Sequence, residues 1–298
     1  ASDVYKRQEP LFDGRITDVG EADDARAAPE LVAHEAEGLR VEQRAGEDDD
    51  VGLGAADLAR EVVHGGDDGR LDAVGFQQCV EAHGGFDVGQ GDAIFIQTPS
   101  GKQILVDAGP NKTVLRELGK TMSFFDKSID VVMESHPDKD HIGGFPEVLK
   151  QYEVGLFIEP RVACSTGICK ELEKDVSLEK SQVLYARRGT VIDFGDGVLI
   201  SILFPDRDVY DLETNTASIV ARLTYGNNSL LLTGDSPQSI EDFLVWKDGI
   251  NLDSDILKVG HHGSRTSSDQ EFVRMVSPAL SIISAGKGNS YGHPHKEV

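Results

Sequence analysis

The segment from His136 to His141 concentrates four potential metal ligands in six positions and reads HPDKDH. Imidazole nitrogen and carboxylate oxygen together bind first-row divalent metals, and a set with several carboxylates can hold two ions side by side. A lone His-x-Asp is common on protein surfaces, but this density favours a metal centre. Gly143 and Gly144 follow, and we expect them to allow a tight backbone turn. The candidate ligands are His136, Asp138, Asp140 and His141.

Further polar side chains also follow apolar runs that are typical of strands. Asp107 ends QILVD, Asp235 ends SLLLTGD, and His261 and His262 follow ILKVG. Strand ends of one sheet converge along one edge, so we expect these groups to meet the HPDKDH segment there. Asp235 is placed to bridge two metals, and His261 or His262 adds a ligand; we favour His261, which is nearer the strand. Asp107 by itself is equally well explained as a turn or helix cap.

The elements that must position these residues can be predicted from residue 86 onward. Helical spacing occurs at 112–120 and 144–152, and a helix is predicted to begin with Ser236 as N-cap and Pro237 in the first turn. Gly226-Asn227 is one of several hairpin signals. Two hairpin-rich sheets with helices outside fit this order better than a doubly wound parallel sheet. Strands are predicted at 93–98, 103–107, 129–135, 154–160, 189–194, 198–205, 218–225, 229–235, 256–260 and 279–284.

The composition of the 298 residues limits the possible functions. The formal net charge is −23, which argues against a basic face that binds nucleic acid non-specifically. We find no run of 18 apolar residues and no pattern of a signal peptide, so neither is predicted in this sequence.

The three cysteines are too few and too scattered for a disulfide framework. Cys164 and Cys169 could pair across a loop, but two ordinary thiols are the expectation. Cys79 lies far from both in the sequence.

Residues 1–85 differ in composition from residues 86–298. The first part holds 21 acidic and 8 basic residues and one serine, whereas the second holds 31 acidic and 21 basic residues and 20 serines. The first part also lacks a sustained helical or strand period, apart from 55–63. It is interpreted either as an acidic, disordered arm or as a non-native segment that arose from a frame or assembly artefact. We expect no function there, and His34, His64 and His83 are treated as incidental.

The ordered set of motifs from residue 86 to residue 298 resembles the metallo-β-lactamase superfamily, whose signature is His-x-His-x-Asp-His. Here Asp138 replaces the second histidine of that signature. This variant closely resembles the metallo-hydrolase domain of the ComEC/Rec2 competence proteins and their soluble relatives. The other motifs that carry the resemblance are FDVGQGDA, LVDAG, LLTGD, LKVGHHGSRTSS and YGHPH.

The resemblance implies an α/β (α+β) fold, a four-layer αββα sandwich. The family continues beyond the position of His295, so we expect a domain that is truncated at its C-terminus. It also implies one or two divalent metal ions. His136 with Asp138 would serve one ion, His141 with Asp140 the other, Asp235 would bridge them, and His261 or His262 would complete the second position. Asp138 makes the set harder and richer in oxygen, which favours manganese over zinc.

Other roles follow from the resemblance alone. Asp140, Asp107 and His293 are expected to act in catalysis, with Asp107 supporting the site by hydrogen bonding. His293 and His295 would either supply a general acid or a phosphate contact, or fix a loop. Ser264, Arg265 and Thr266 would either bind phosphate or form an exposed loop. Asn215 and Ser218 stand roughly where the superfamily has a further histidine, so the first metal could be weakly held or absent. Residues expected to support the ligands or contact substrate are Asp87, Gln90, Asp92, Asn215, Ser264, Arg265 and His295.

Three functions remain open on this basis. The first is hydrolysis of phosphodiesters, most simply single-stranded DNA, by a metal-bound hydroxide in a DNA-uptake protein of the competence type. Such a chain could belong to a larger membrane protein and lie outside the cytoplasm; otherwise it would be cytoplasmic. The second is hydrolysis of a small or cell-wall phosphodiester, such as a phosphorylcholine ester. The third is a catalytically inert module stabilised by metal.

Overall fold

The computed structural model of the protein describes residues 12–18, 81–83, 86–179 and 181–298, with only the backbone described at 81–83. The described strands form one seven-stranded sheet and one six-stranded sheet. The strands are β1 (Arg15–Asp18), β2 (Glu81–His83), β3 (Ile94–Gln97), β4 (Gln103–Val106), β5 (Ser128–Met133), β6 (Glu153–Glu159), β7 (Gln182–Tyr185), β8 (Thr190–Asp193), β9 (Val198–Phe204), β10 (Val220–Tyr225), β11 (Asn228–Leu232), β12 (Ile256–Lys258) and β13 (Leu280–Ile282). The helices are α1 (Thr113–Thr121), α2 (Lys139–Ile142), α3 (Phe145–Leu149), α4 (Gly167–Leu178), α5 (Gln238–Asp248) and α6 (Gln270–Val276).

Both sheets are mixed, with hairpins at one side and parallel strands at the other. The seven-stranded sheet has the order β1-β8-β9-β10-β11-β12-β13, and the six-stranded sheet has the order β2-β3-β4-β5-β6-β7. The predicted hairpins β3–β4, β8–β9 and β10–β11 are confirmed as antiparallel pairs. From β4 to β7 and from β11 to β13 the neighbours are parallel, and helical or 3₁₀ segments connect most of them.

Alternation along the strands divides the apolar residues among three buried layers. Ile94 and Ile96 of β3 point into the core between the sheets, whereas Phe95 points to the outer face of the six-stranded sheet. Ile200 and Ile202 of β9 face the same central core from the other sheet. The helices close the two outer faces, so the expected four-layer αββα arrangement is confirmed.

The helices are held by their apolar stripes and by side-chain caps. Val114 and Leu118 of α1, one helical turn apart, are fully buried against the six-stranded sheet with α3 and α4. Leu244 of α5 packs with α6 on the other sheet. Pro237, with extended backbone, is the N-cap of α5, one residue later than the predicted Ser236. In the described ranges, no helix is both long and apolar enough to cross a membrane.

Two short segments of residues 1–85 form edge strands, which the sequence did not predict. β1 pairs antiparallel with β8, and the buried ring of Phe12 packs edge-on against Phe194 at a centroid distance of 5.9 Å. β2 pairs with β3 at the edge of the other sheet. In these residues the structure differs from the expectation of low order. The remainder of that region, including His34, His64 and Cys79, lies outside the described residues.

Cys164 and Cys169 form a disulfide, which corrects the expectation of two ordinary thiols. The reason is local, because α4 begins at Gly167 between them and brings their Cα atoms to 5.6 Å. This separation is within the usual range for a bridged pair. Thr166 caps the helix by accepting the backbone N–H of Cys169.

Candidate metal centre

The candidate ligands converge around Asp235, which follows β11 at one edge of the two sheets. Its Oδ2 atom lies 3.3 Å from His141 Nε2, 3.5 Å from His262 Nε2 and 3.9 Å from His136 Nε2. His136 and His141 follow β5 of one sheet, whereas His262 follows β12 of the other. The Asp235 carboxylate is almost completely buried. It therefore lies at the centre of the group, where a bridging carboxylate is expected.

Four buried atoms in this group have no hydrogen-bond partner in the part of the chain that the structure describes. They are the Nε2 atoms of His136, His141 and His262 and the Oδ1 atom of Asp235. Buried polar atoms almost always have partners, and leaving one unsatisfied costs on the order of 1–3 kcal/mol. A divalent metal accepts lone pairs from imidazole and carboxylate together. The lone pairs of these unpartnered atoms therefore fit a divalent metal ion.

Asp107 and the hydroxyl of Ser135 determine which nitrogen of two histidines faces the centre. Asp107 Oδ2 lies 2.8 Å from His141 Nδ1 and accepts the Ser135 hydroxyl at 2.7 Å. Ser135 Oγ in turn lies 3.0 Å from His136 Nδ1. Because the hydroxyl proton goes to Asp107, His136 Nδ1–H donates to Ser135, and His141 Nδ1–H donates to Asp107. Both rings then present Nε2 to the centre.

Asp107 makes these contacts from a left-handed backbone conformation, with φ of 57°. Such a conformation is uncommon for a residue with a side chain, and residues that adopt it cluster at functional sites. Burial raises the pKa of Asp107, although the charge of His141 and the hydrogen bonds from His141 and Ser135 oppose the shift. The geometry places Asp107 behind His141, as expected for a group that supports the site by hydrogen bonding.

The carboxylates draw positive charge into the centre. Burial by itself would raise the pKa of Asp235, but His141, His262 and His136 hold it well below its usual range. Burial would likewise lower the pKa of His141, but Asp235 and Asp107 raise it well above its usual value. Burial and then the charge of His141 lower the pKa of His136 to about 4. A centre that attracts protons in this way attracts a divalent cation, which displaces protons when it binds.

His262 lies in the group and His261 lies at its margin, the reverse of the preference from the sequence. Both have left-handed backbone, with φ of 48° and 55°, and this double turn points the second ring back into the group. His262 Nδ1 donates to the Ser284 carbonyl at 3.0 Å, which directs Nε2 toward Asp235. His261 Nε2 is 3.7 Å from Asp235 Oδ2, and its side chain is 27% exposed. The geometry thus favours His262 as the ligand.

Asp138 and Asp140 lie on the open side of the centre. Asp140 Oδ2 is 3.3 Å from His262 Nε2, and Asp138 Oδ2 is 3.8 Å from His136 Nε2. Their side chains are 35% and 40% exposed, in contrast to the buried histidines. Burial would raise the pKa of Asp140, but the adjacent imidazole of His262 and the charge of His141 lower it. These two carboxylates therefore lie where solvent reaches the centre.

A buried ion pair between Asp92 and Lys258 supports His262, and the sequence analysis missed Lys258. Lys258 Nζ lies 2.7 Å from Asp92 Oδ2, and both side chains are almost completely buried. Asp92 Oδ1 lies 3.4 Å from His262 Nδ1. Burial would lower the pKa of His262, but Asp92, Asp140 and Asp235 raise it to about 9. The only clue in the sequence was a lysine inside the apolar run ILKVG, where a charge needs a partner.

Asp92, His141, Asp235 and His262 form one group of possible ligands in the described residues, with one donor atom of each within 4.8 Å of the others. Asp92 is already paired with Lys258, so its carboxylate is less available than that of Asp235. We therefore place Asp92 behind His262.

Gly143 and Gly144 are required by close packing, which corrects the reason expected from the sequence. Their backbones are helical, with φ of −60° and −89°, so no unusual turn is needed. A Cβ on Gly143 would lie 2.1 Å from the Pro110 carbonyl oxygen, and one on Gly144 would lie 2.2 Å from that of Ala108. The two glycines thus allow the ligand segment to pack directly on the loop after β4.

The C-terminal histidines and the loop after His262 lie beside the centre. The ring of His293 is 5.6 Å from that of His261, and its Nδ1 is buried with no hydrogen-bond partner among the residues described. Arg265 is exposed, and its backbone N–H donates to His295 Nδ1 at 3.1 Å. Ser264 is buried, and its hydroxyl is bonded within the same loop. His261 and His293 therefore lie side by side next to the centre, and His295 holds the loop that carries Arg265.

Three predicted residues make no hydrogen bond or ion pair to the ligand group within the part of the chain that the structure describes. Asp87 is exposed. Gln90 accepts a backbone N–H from the C-terminal segment at 2.9 Å. Asn215 Oδ1 is buried and has no hydrogen-bond partner within the described ranges. Its neighbour Ser218 is nearer, because its hydroxyl accepts the backbone N–H of Asp235 at 3.2 Å.

Comparison with known proteins gives a consistent family match. Residues 86–287 match the family described as the metallo-beta-lactamase superfamily. ComE operon protein 3 of Bacillus subtilis is 31% identical over 229 residues, which cover 71% of this chain and 29% of that protein. Competence protein ComA of Neisseria gonorrhoeae is 31% identical over 72% of this chain and 28% of that protein. The chain thus spans less than a third of the length of these relatives.

Among solved structures, the metallo-beta-lactamase fold protein YhfI from Bacillus subtilis is 15% identical to this chain. The alignment covers 70% of this chain and 84% of that one, with a TM-score of 0.46.

Proposed function

The chain belongs to the metallo-β-lactamase superfamily, which supports a metal-dependent hydrolase, and from this premise we propose that it cleaves phosphodiester bonds in single-stranded DNA. The observation that carries the proposal is the convergence of buried, unpartnered Nε2 and carboxylate atoms on Asp235. Among the described residues, these atoms form a mixed nitrogen and oxygen set of the kind that can hold two ions.

The proposed ligands are assigned from the distances around Asp235. Bound divalent metals would supply Lewis-acid stabilisation of the phosphate and a water of lowered pKa. Four of the six proposed ligands are buried. The other two, Asp138 and Asp140, are partly exposed and add oxygen donors on the open side, which favours manganese over zinc. The ligands are His136, Asp138, Asp140, His141, Asp235 and His262.

The other residues of the site bind and orient. Ser135 and Asp107 hold the ligand histidines in the tautomer that presents Nε2. Arg265 and Lys139 are exposed beside the open side and would contact phosphates that flank the cleaved bond. Burial and then the charge of His261 lower the pKa of His293, so its neutral ring would contact the substrate by hydrogen bonding. This favours a phosphate contact over a protonated acid.

DNA is proposed as the substrate because of the names of three relatives. They are ComE operon protein 3, Competence protein ComA and Recombination protein 2.

One observation favours a second candidate. Residues 86–298 still carry ten more acidic than basic residues, which would repel a long polyanion. A small or cell-wall phosphodiester is therefore the alternative substrate of the same site.

The test combines metal content with two substrates. The full chain is loaded with Mn²⁺ or Zn²⁺, metal per chain is measured by elemental analysis, and cleavage of single-stranded DNA and of bis-p-nitrophenyl phosphate is followed. We expect Asp235→Asn and Asp140→Ala to lower DNA cleavage at least 100-fold, and Asp235→Asn to lower metal content. The exposed Asp242→Asn on α5 is the matched control and should behave as wild type.

The outcomes separate the candidates. Turnover of the small ester but not of DNA would replace the first substrate by the second. Metal binding without turnover of either would leave a metal-stabilised inert module. Absence of both metal and turnover would overturn the enzyme proposal.

A further inference from the structure

Three aromatic rings form a nearly parallel row that leads from the metal centre to the surface. The ring of His293 lies 6.4 Å from that of the proposed ligand His262, with 30° between the two planes. The ring of Tyr291 lies 5.7 Å from that of His293, with 27° between the planes. Both distances are within the range of stacked aromatic pairs. The row therefore begins at the buried centre and continues to Tyr291.

Tyr291 is the solvent-exposed end of this row. The residue is 66% exposed, whereas His262 is buried. Its ring stacks on His293, so the part of the ring that faces solvent can accept a second flat ring. Nucleobases stack on aromatic side chains in this way, and the contact tolerates every base because each has a π-face.

Asn289 shapes the loop that carries Tyr291. Its Oδ1 atom accepts the backbone N–H groups of Tyr291 and His293, at 3.1 and 3.0 Å. Its Nδ2 atom donates to the carbonyl groups of Gly286 and His293, at 2.9 and 2.7 Å. A loop that is already ordered loses less conformational entropy when it binds a ligand.

The same loop is fastened to the segment before β3. Gln90 Oε1 accepts the backbone N–H of Gly286 at 2.9 Å, and the Ser284 hydroxyl donates to the Gly91 carbonyl at 2.7 Å. The next residue of that segment, Asp92, belongs to the buried ion pair that supports the metal centre. The loop therefore keeps a fixed position relative to the centre.

Exposed cations accompany this loop, although the chain as a whole is acidic. Lys287 lies within the loop, and Lys296 follows His295. Arg265 is held nearby, because its backbone N–H donates to His295 Nδ1. Such cations can contact phosphates. An aromatic ring with cations around it matches the two parts of a single nucleic-acid strand, its bases and its phosphates.

We propose that Tyr291 is a substrate-binding residue that stacks on the nucleobase of a nucleotide next to the cleaved bond, and thereby selects nucleic acid over other phosphodiesters. The inference rests on the proposed phosphodiesterase function and adds a determinant of its substrate. The ring contacts the face of the base and does not read its edges, so the selection is for a base and not for a sequence.

DNA without bases separates stacking from phosphate contacts. The full chain, loaded with Mn²⁺ or Zn²⁺, is given a short single-stranded oligonucleotide or the same backbone with every base removed, and kcat and KM are measured for each. We expect wild type to prefer the strand with bases. Tyr291→Ala should raise KM for that strand about 5- to 150-fold, the range of one stacked base, and leave kcat nearly unchanged. On the abasic strand it should match wild type.

Two further variants show whether the ring itself is needed. Tyr291→Phe keeps the ring and should behave as wild type on both strands. Phe125→Ala is the matched control, because Phe125 is 88% exposed and also contacts a neighbouring ring, that of Phe124. Phe125 precedes β5, whereas the ligand segment follows β5, so this variant should also behave as wild type.

The outcomes separate this inference from the function on which it rests. If wild type cleaves neither strand, the proposed cleavage of DNA has failed, and the inference fails with it. If wild type cleaves DNA but Tyr291→Ala keeps the KM of wild type, or loses as much on the abasic strand, the inference alone is overturned.

Discussion

At the scale of single residues, the hydroxyl of Ser135 does more than its position beside the ligand segment suggests. It gives its proton to Asp107 and receives one from His136 Nδ1, so one carboxylate orients two histidines, one directly and one through the hydroxyl. The partners behind metal ligands commonly contribute 10–100-fold in metal affinity or activity. We therefore expect Ser135 to contribute to metal binding.

We expect Ser135→Ala to weaken metal affinity about 10–100-fold, because His136 loses the group that fixes its tautomer. Competition with a metal chelator measures the change. Ser229→Ala is the matched control, since Ser229 of β11 is also buried and bonded to a carboxylate, that of Asp255 directly before β12. If Ser135→Ala lowers stability but loses no more metal affinity than Ser229→Ala does, this role is contradicted.

The residues that could be predicted from the sequence are those whose partners are near in the chain. One short segment contains His136, Asp138, Asp140 and His141, so the four can be recognised together from the sequence. The choice between His261 and His262 depends on two consecutive left-handed residues, which the residue types do not announce. The pairing of Asp92 with Lys258 joins the two sheets across 166 residues and needs the fold to be known.

At the scale of elements, the ligand segment depends on direct contact between α2, α3 and the loop after β4. We expect Gly144→Ala to destabilise the protein by about 1–3 kcal/mol, because its Cβ would lie 2.2 Å from the Ala108 carbonyl oxygen. The displaced segment should also bind metal more weakly. Urea unfolding and a metal titration measure the two effects.

Gly119→Ala in α1 is the matched control for this change. It also places alanine in a helical segment, but nothing lies within 4 Å of the added Cβ. We therefore expect it to leave metal binding unchanged and to stabilise the protein by about 0.5–1 kcal/mol. Equal behaviour of the two variants would contradict the close packing argued for Gly144.

Glu241 joins α5 to the loop that follows His262. Its carboxylate accepts the backbone N–H groups of Ser268 and Asp269, at 2.7 and 2.8 Å. Burial raises the pKa of Glu241 from 4.5 to about 7, although these two hydrogen bonds oppose the shift. Between those pH values the folded protein binds more protons than the unfolded chain, so this group makes the free energy of unfolding fall as pH rises to about 7.

We expect Glu241→Gln to remove this pH dependence. Glutamine does not titrate, so the gap between the two proteins, the free energy of unfolding of wild type minus that of the variant, should be larger at pH 5 than at pH 8 by up to about 3 kcal/mol. Urea unfolding of both proteins with a chelator present, from pH 5 to pH 8, measures the gap. A constant gap over this range would show that Glu241 titrates outside it.

Strands and hairpins could be predicted because their signals are local. The alternation in AIFIQT and the Gly226-Asn227 turn each specify an element within a few residues. β1 could not be predicted, since the four residues Arg15–Asp18 become a strand only by pairing with β8, more than 170 positions later. α4 and β7 were also missed, although Cys169, Leu172 and Val176 of α4 have the spacing of one helical face.

At the scale of the whole molecule, the acidic charge determines how a polyanion can approach. A single-stranded substrate must be held by the few local cations, such as Arg265, so its Kd should rise only moderately with salt. We expect Arg265→Ala to weaken binding and to make the slope of log Kd against log salt about 0.7 shallower, the value of one phosphate contact. Binding of labelled oligonucleotide at several salt concentrations measures the slope.

Arg274→Ala is the control for the salt experiment. Arg274 is exposed on α6 and paired with Glu271, so its removal changes the net charge equally without touching the open side of the centre. We expect its slope to match that of wild type. Equal slopes in all three proteins would favour the small phosphodiester over DNA.

Residues 12–18 of the acidic N-terminal region cover an edge of the seven-stranded sheet, because β1 pairs with β8. The strand covers the rim of the seven-stranded sheet, and Phe12 shields Phe194 behind it. A chain shortened to begin at residue 86 would leave the amides and carbonyls of β8 open to any extended peptide. Two shortened molecules could then pair edge to edge through their β8 strands. A stretch that looks dispensable by composition would in this way keep the protein from self-association.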